Sequence, residues 1–176
     1  HRLIAPARSF ARSARRSIGP LAAKLSLLVY ARAARAFVSE RGPVVNPHLF
    51  VYGTLMSAAG HPMGARLARE AKRIGPASVQ GRLYQIAWYP GLVDSIDAAE
   101  RVYGELFALT NPVAAFGWLD AYEGVRGGSN DNEYARVERL ARVSAADAVL
   151  AWVYLYQRDP PSRGLIADGR WTPSRK

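Results

Sequence analysis

The nine residues Ala148–Tyr156 restrict the fold more than any other stretch of the chain. Val149, Ala151, Val153 and Leu155 alternate with Trp152, Tyr154 and Tyr156. A strand of period two therefore carries aliphatic side chains on one face and aromatic ones on the other. Neither face suits water. One must fill a core, and the other must line a pocket or pack under a helix, as in a small barrel or curled sheet. The remaining pattern is compatible. His48–Leu55 starts as a strand running into a glycine, and residues 64–71 read as a short helix. Lys72–Trp88 carries strand signals broken by Gly75-Pro76 and Gly81, and Tyr89-Pro90-Gly91 reads as a turn. Val102–Leu109 and Tyr134–Val143 read as strands. Between them, Asn111 precedes Pro112 as an N-cap precedes a first-turn proline, and the helix so begun runs to about Glu123 and stops at Gly124. The order lacks the regular strand–helix alternation of a doubly wound sheet. The expected fold is α+β: a mixed, mainly antiparallel β-barrel with flanking helices.

Composition narrows the chemistry. There is no cysteine among the 176 residues, so disulfides, thiol nucleophiles and Cys-ligated metals are excluded. Histidine occurs only at positions 1, 48 and 61, which makes a three-His metal site implausible. Catalysis falls to carboxylates, tyrosines, hydroxyls or backbone amides, and neither a metal nor another cofactor is expected.

The net charge of +10 is concentrated at one end. Residues 1–47 carry +8, from nine basic residues and Glu40 alone, whereas residues 48–176 carry only +2. Gly42-Pro43 and Asn46-Pro47 punctuate the change. We read 1–47 as a basic extension, disordered or loosely helical, and 48–176 as the folded domain. An amphipathic surface helix and a targeting segment are the alternatives for the extension. Its longest apolar run, Leu27–Ala31, is far short of the roughly 20 residues of a membrane span. A cytoplasmic location is the expectation. The near-neutral domain gives no basic face, so no nucleic-acid partner is expected, and nothing in the residues specifies an oligomeric state.

Three places can carry chemistry. In Tyr52-Gly53-Thr54-Leu55 a strand ends at a glycine, and the following N–H groups can converge on an anion; a plain turn with a permissive glycine explains the same spacing. Asp120 and Glu123 stand three apart at the end of a helix, where the dipole and burial raise a carboxylate pKa towards the range useful for acid–base work; a solvated helix end explains them equally well. Tyr134 enters a strand with Arg136 on the same face, either facing a cavity or forming an ordinary cross-strand pair. The polar, glycine-rich loop Arg126–Asn132 next to Glu123 is a candidate lid.

Taken in order, Phe50-Val-Tyr-Gly-Thr-Leu55, Gly81-Arg-Leu-Tyr84, Tyr89-Pro-Gly91, Val102-Tyr-Gly-Glu-Leu-Phe107, Leu119-Asp-Ala-Tyr-Glu-Gly124, Tyr134-Ala-Arg136, Ala151-Trp-Val-Tyr154 and Ile166-Ala-Asp-Gly-Arg-Trp171 are together more specific than any one of them. The chain resembles the gamma-glutamylcyclotransferase-like superfamily over roughly residues 48–171. The loop reads Tyr-Gly-Thr-Leu rather than Tyr-Gly-Ser-Asn, which resembles the branch containing γ-glutamylamine cyclotransferases. The resemblance implies a barrel with a cavity and a small-molecule γ-glutamyl substrate, cyclised to 5-oxoproline with release of an amine or amino acid. It implies Glu123 as general acid/base, backbone N–H groups of Gly53, Thr54 and Leu55 beside Tyr52 as the substrate anchor, and Tyr134 in the cavity wall. Two other readings compete. One is a non-catalytic binding or regulatory module on the same fold. The other is a basic-tailed protein that binds a nucleic-acid or membrane surface through residues 1–47.

Overall fold

The computed structural model describes residues 45–127 and 131–173. The basic extension expected over 1–47 thus lies outside the described residues, except for its last three. So does the middle of the candidate lid, Gly128–Asn130.

Among the described residues, eight strands and two α-helices are formed: β1 His48–Val51, α1 Pro62–Glu70, β2 Ala71–Gln80, β3 Arg82–Gln85, β4 Pro90–Val93, β5 Arg101–Leu109, α2 Pro112–Tyr122, β6 Tyr134–Arg142, β7 Ala148–Tyr156 and β8 Leu165–Ile166. Five strands close a barrel in the order β1-β5-β2-β6-β7. Its pairs are antiparallel except at the closure, where Leu49 of β1 meets Trp152 of β7 in parallel. The expected mixed, mainly antiparallel barrel with flanking helices is therefore what forms. A second sheet, β4-β3-β8, stands beside it.

The two faces of β7 separate two apolar layers. Ala151, Val153 and Leu155 join Phe50, Val79, Val102 and Leu106 inside the barrel. Tyr154, with Trp152 and Tyr156 packed alongside, belongs to an outer layer with Leu49, Val51, Phe107, Phe116 and Leu119. Helix α2 covers that layer through Ala115, Phe116 and Leu119, which share one helical face. Complete burial of a side chain such as Leu119 contributes about 1.5–3 kcal/mol. Each helix begins on a side-chain cap followed by proline. His61 Nδ1 accepts from Met63 N–H at 3.2 Å, and Asn111 Oδ1 accepts from Ala114 N–H at 3.2 Å.

Two local expectations are corrected. The short helix starts at Pro62, two residues before the expected start, because His61 supplies the cap. The turn expected at Tyr89-Pro90-Gly91 falls earlier: Ile86 N–H bonds to Tyr89 O at 3.1 Å, and Pro90 opens β4, pairing with Gln85. A proline without an N–H is tolerated there because β4 is an edge strand and Pro90 is its first residue. Among the described residues no helix is long and apolar enough to cross a membrane.

Candidate active site

Helix α2 ends in a Schellman arrangement. Val125 N–H reaches back to Asp120 O at 2.8 Å and Gly124 N–H to Ala121 O at 3.4 Å. Gly124 takes the left-handed conformation this requires, with φ +70°. The last ordinary residue before that reversal is Glu123, at φ −82° and ψ 1°. The cap thus fixes where the helix lets go of the Glu123 backbone.

Glu123 opens onto a cavity of about 220 Å³. Tyr52, Gly53, Thr54, Leu55 and Tyr134 line the same cavity, together with Trp88, Tyr89, Tyr122, Glu133 and Tyr154. The residues singled out in the sequence are thus brought to one place from β1, the end of α2 and the start of β6. Asp120 and Arg136 are not. Asp120 accepts a hydrogen bond from Tyr154 Oη at 2.7 Å and pairs with Arg136 at 3.5 Å. The Arg136 guanidinium lies 4.0 Å over the Phe116 ring and 5.0 Å over Trp152. It reinforces the packing behind the cavity instead of facing into it.

Gly53 is needed for space, not for an unusual backbone angle. A Cβ there would stand 2.8 Å from Pro90 Cγ. The permissive-φ reading of this glycine is therefore replaced by close approach of two chain segments. Met56 N–H closes the loop onto Gly53 O at 2.9 Å. Among the described residues the N–H groups of Gly53, Thr54 and Leu55 have no acceptor, which leaves them as donors to a ligand. The Thr54 and Tyr122 hydroxyls share a hydrogen bond of 2.8 Å, which ties this loop to α2 one residue before Glu123.

Two tyrosine hydroxyls stiffen the walls. Tyr52 Oη donates to Tyr154 O at 2.7 Å and accepts from Leu92 N–H at 3.2 Å. Tyr134 Oη donates to Pro90 O at 2.9 Å. Burial first, and then neighbouring negative charge, pushes Tyr52 and Tyr134 well above the ordinary phenol range. They remain neutral and hold shape, and they are not bases.

Glu123 carries a carboxyl whose surroundings raise its affinity for a proton. Removal from water, followed by the charge of Glu133, pushes its carboxyl up to about 8. Burial, one of the two expected causes, leads, and the second contribution comes from the Glu133 carboxylate, which the sequence did not suggest. Trp88, Tyr89, Tyr122, Glu133 and Tyr154 line the cavity without having been singled out in the sequence as site residues. Tyr154 was signalled by its place on the aromatic face of β7, whereas Glu133 and Tyr89 meet only through the fold. His61 is occupied as a helix cap, stacked on Trp88 at 6.2 Å and tilted against Tyr122 at 5.6 Å. Among the described residues no cluster of three His, Asp or Glu side chains is placed to hold a metal ion.

Comparison with known proteins shows the family and the fold. Residues 49–173 match the family model described as Gamma-glutamyl cyclotransferase, AIG2-like. The Gamma-glutamylcyclotransferase family protein YtfP of Escherichia coli (strain K12) is 33% identical over 124 residues, covering 70% of this chain and 94% of its own. The uncharacterized protein PH0828 from Pyrococcus horikoshii superposes with a TM-score of 0.52 at 20% identity, covering 70% of this chain and 87% of that one. The uropathogenic E. coli-specific protein c4763 gives 0.52 at 19%, covering 71% and 91%. The two structural likenesses show a shared fold.

Proposed function

We propose that this chain, which belongs to the AIG2-like gamma-glutamyl cyclotransferase family, cyclises a γ-glutamyl amine or γ-glutamyl amino acid to 5-oxoproline. The observation that carries the reading is Glu123, a carboxylate with its pKa raised to about 8, in one cavity with the free N–H groups of Gly53–Leu55.

The chemistry requires little more. The α-nitrogen of a γ-glutamyl group arrives as an ammonium ion and must lose a proton before it can attack. Glu123 takes that proton. The freed amine then adds to the γ-carbonyl carbon, the new C–N bond closes a five-membered ring, and the carbonyl electron pair moves to oxygen. When that pair returns, the bond to the leaving nitrogen breaks, and Glu123 returns its proton to that nitrogen. A second proton passes from the ring nitrogen to the departing amine, which leaves as an ammonium ion. Ring closure is intramolecular, so holding the chain folded supplies much of the acceleration. A positioned acid/base group adds roughly 10²–10⁴-fold. The loop N–H groups are suited to hold the substrate's carboxylate or the developing oxyanion.

The test is 5-oxoproline release from a panel of γ-glutamyl amines, amino acids and dipeptides, with Glu123→Gln as control. Glutamine keeps the shape but cannot accept the proton, so turnover should fall by roughly 10²-fold or more while substrate still binds. A panel on which the parent protein is inert, or a Glu123→Gln variant that turns over normally, would overturn the reading.

A further inference from the structure

Glu133 is a second carboxylate in the wall of the same cavity, directly before β6. Tyr89 Oη donates to Glu133 Oε1 at 2.7 Å, and Gln157 N–H bonds to Glu133 O at 2.9 Å. Both its side chain and its backbone are therefore fixed. Tyr89 is itself pushed up to about 12, chiefly by that hydrogen bond, so it stays a donor across the useful pH range. The lining residues include two acids and no lysine, arginine or histidine. Glu133 has no ion pair among the described residues. The other ionisable neighbours are Tyr134, whose shift Glu133 contributes to, and Tyr156 and Arg158, which act on Tyr89.

Two carboxylates sharing a cavity oppose each other unless a cation lies between them. The only cation common to every substrate of the proposed reaction is its α-ammonium group, whose three N–H donors can serve both. On the cyclotransferase reading, we infer that Glu133, held by Tyr89, seats the substrate's α-ammonium group against Glu123. Glu133 is then a substrate-binding residue, and the pair makes a free α-ammonium a requirement for binding. While the cavity is empty, Glu133 also keeps Glu123 protonated to higher pH. The arriving cation reverses that influence at the moment a base is needed.

The test follows KM and the pH profile in the full chain. Glu133→Gln should raise KM by roughly ten- to a hundredfold, the usual effect of losing a hydrogen bond to a charged group. It should also move the rising limb of kcat/KM, set by Glu123 in the free protein, to lower pH. Tyr89→Phe keeps the charge, so it should raise KM less and leave the limb in place. Binding to the Glu123→Gln background should favour a γ-glutamyl amine over its N-acetyl derivative, and adding Glu133→Gln should abolish that preference. A change that merely loosened the fold would not move the limb. If the parent protein forms 5-oxoproline and Glu133→Gln keeps its KM and its limb, the seat is wrong and the cyclotransferase reading stands. If the parent protein forms none, both are overturned.

Discussion

The Tyr154 hydroxyl donates to Asp120 Oδ1 at 2.7 Å, joining the barrel wall to the last full turn of α2. Asp120 is one helical turn before Glu123, so this bond sets the pitch of the helix end that presents the carboxylate. The main chain of Tyr154 also accepts from Tyr52, which links the same residue to the loop opposite. Burial and the Asp120 bond both push the Tyr154 phenol upward, so it remains a donor throughout the working pH range. Tyr154→Phe removes the hydroxyl alone and leaves Asp120 only the 3.5 Å contact with Arg136. We expect a stability loss of about 1–2 kcal/mol in urea denaturation. A variant as stable as the parent would show that the bond does not anchor the helix.

Gly53 makes the second prediction. Its virtual Cβ meets Pro90 at 2.8 and 3.0 Å, against a rigid ring whose carbonyl is already held by Tyr134. Gly53→Ala must therefore move β4 or the loop. Overpacking of this kind costs about 1–3 kcal/mol, and the displacement falls on the cavity wall. Thermal denaturation and the ammonium-ligand affinity should both worsen. An alanine variant with parent-like stability would mean that the two segments separate freely.

Much of this architecture is legible without coordinates, for physical reasons that differ by element. β7 is legible because both its faces are covered from Ala151 to Tyr156, so aliphatic and aromatic residues alternate there between two apolar layers. α2 is legible because its start and stop are chemical: Asn111 caps, Pro112 follows and Gly124 reverses the chain. The small second sheet is not. β8 is two residues long and owes its existence to pairing with Leu83 and Tyr84, some eighty positions earlier, and β4 hides behind a proline. At the site, resemblance pointed to Glu123 and the Tyr52–Leu55 loop, whose shared cavity is a tertiary fact. Glu133 carries no local signal, because a glutamate before a strand is ordinary until Tyr89 is brought to it. Arg136 is open to either reading in the sequence: it shares a face with Tyr134, and the fold places its guanidinium over the rings of Phe116 and Trp152, outside the cavity lining.

That placement is testable. The planar guanidinium lies over both rings and pairs with Asp120. Lysine keeps the charge but cannot stack as a plane. Arg136→Lys should therefore lower stability by about 1 kcal/mol, the scale of a partly desolvated cation–π contact. Identical melting of the two proteins would show that the stack contributes nothing.

The raised pKa of Glu123 also has a cost in stability, and its sign is fixed. The folded state holds the proton up to about pH 8, whereas an unfolded glutamate releases it near 4.5. Below 4.5 both states are protonated and the carboxyl imposes no penalty. Between 4.5 and about 8 the folded state binds more protons than the unfolded one, so stability falls as pH rises. Above about 8 both are ionised, and the penalty is complete and constant. For a half-buried group it is on the order of a few kcal/mol. Glu123→Gln removes the titration. Its stability should match the parent's near pH 4.5 and exceed it progressively up to about pH 8, even as the proposed turnover is lost. Urea denaturation of both proteins at pH 5, 7 and 9 measures the difference directly. Parallel pH dependence in the two proteins would mean that Glu123 titrates as an ordinary surface carboxylate, and the main support for its role as the base would be gone.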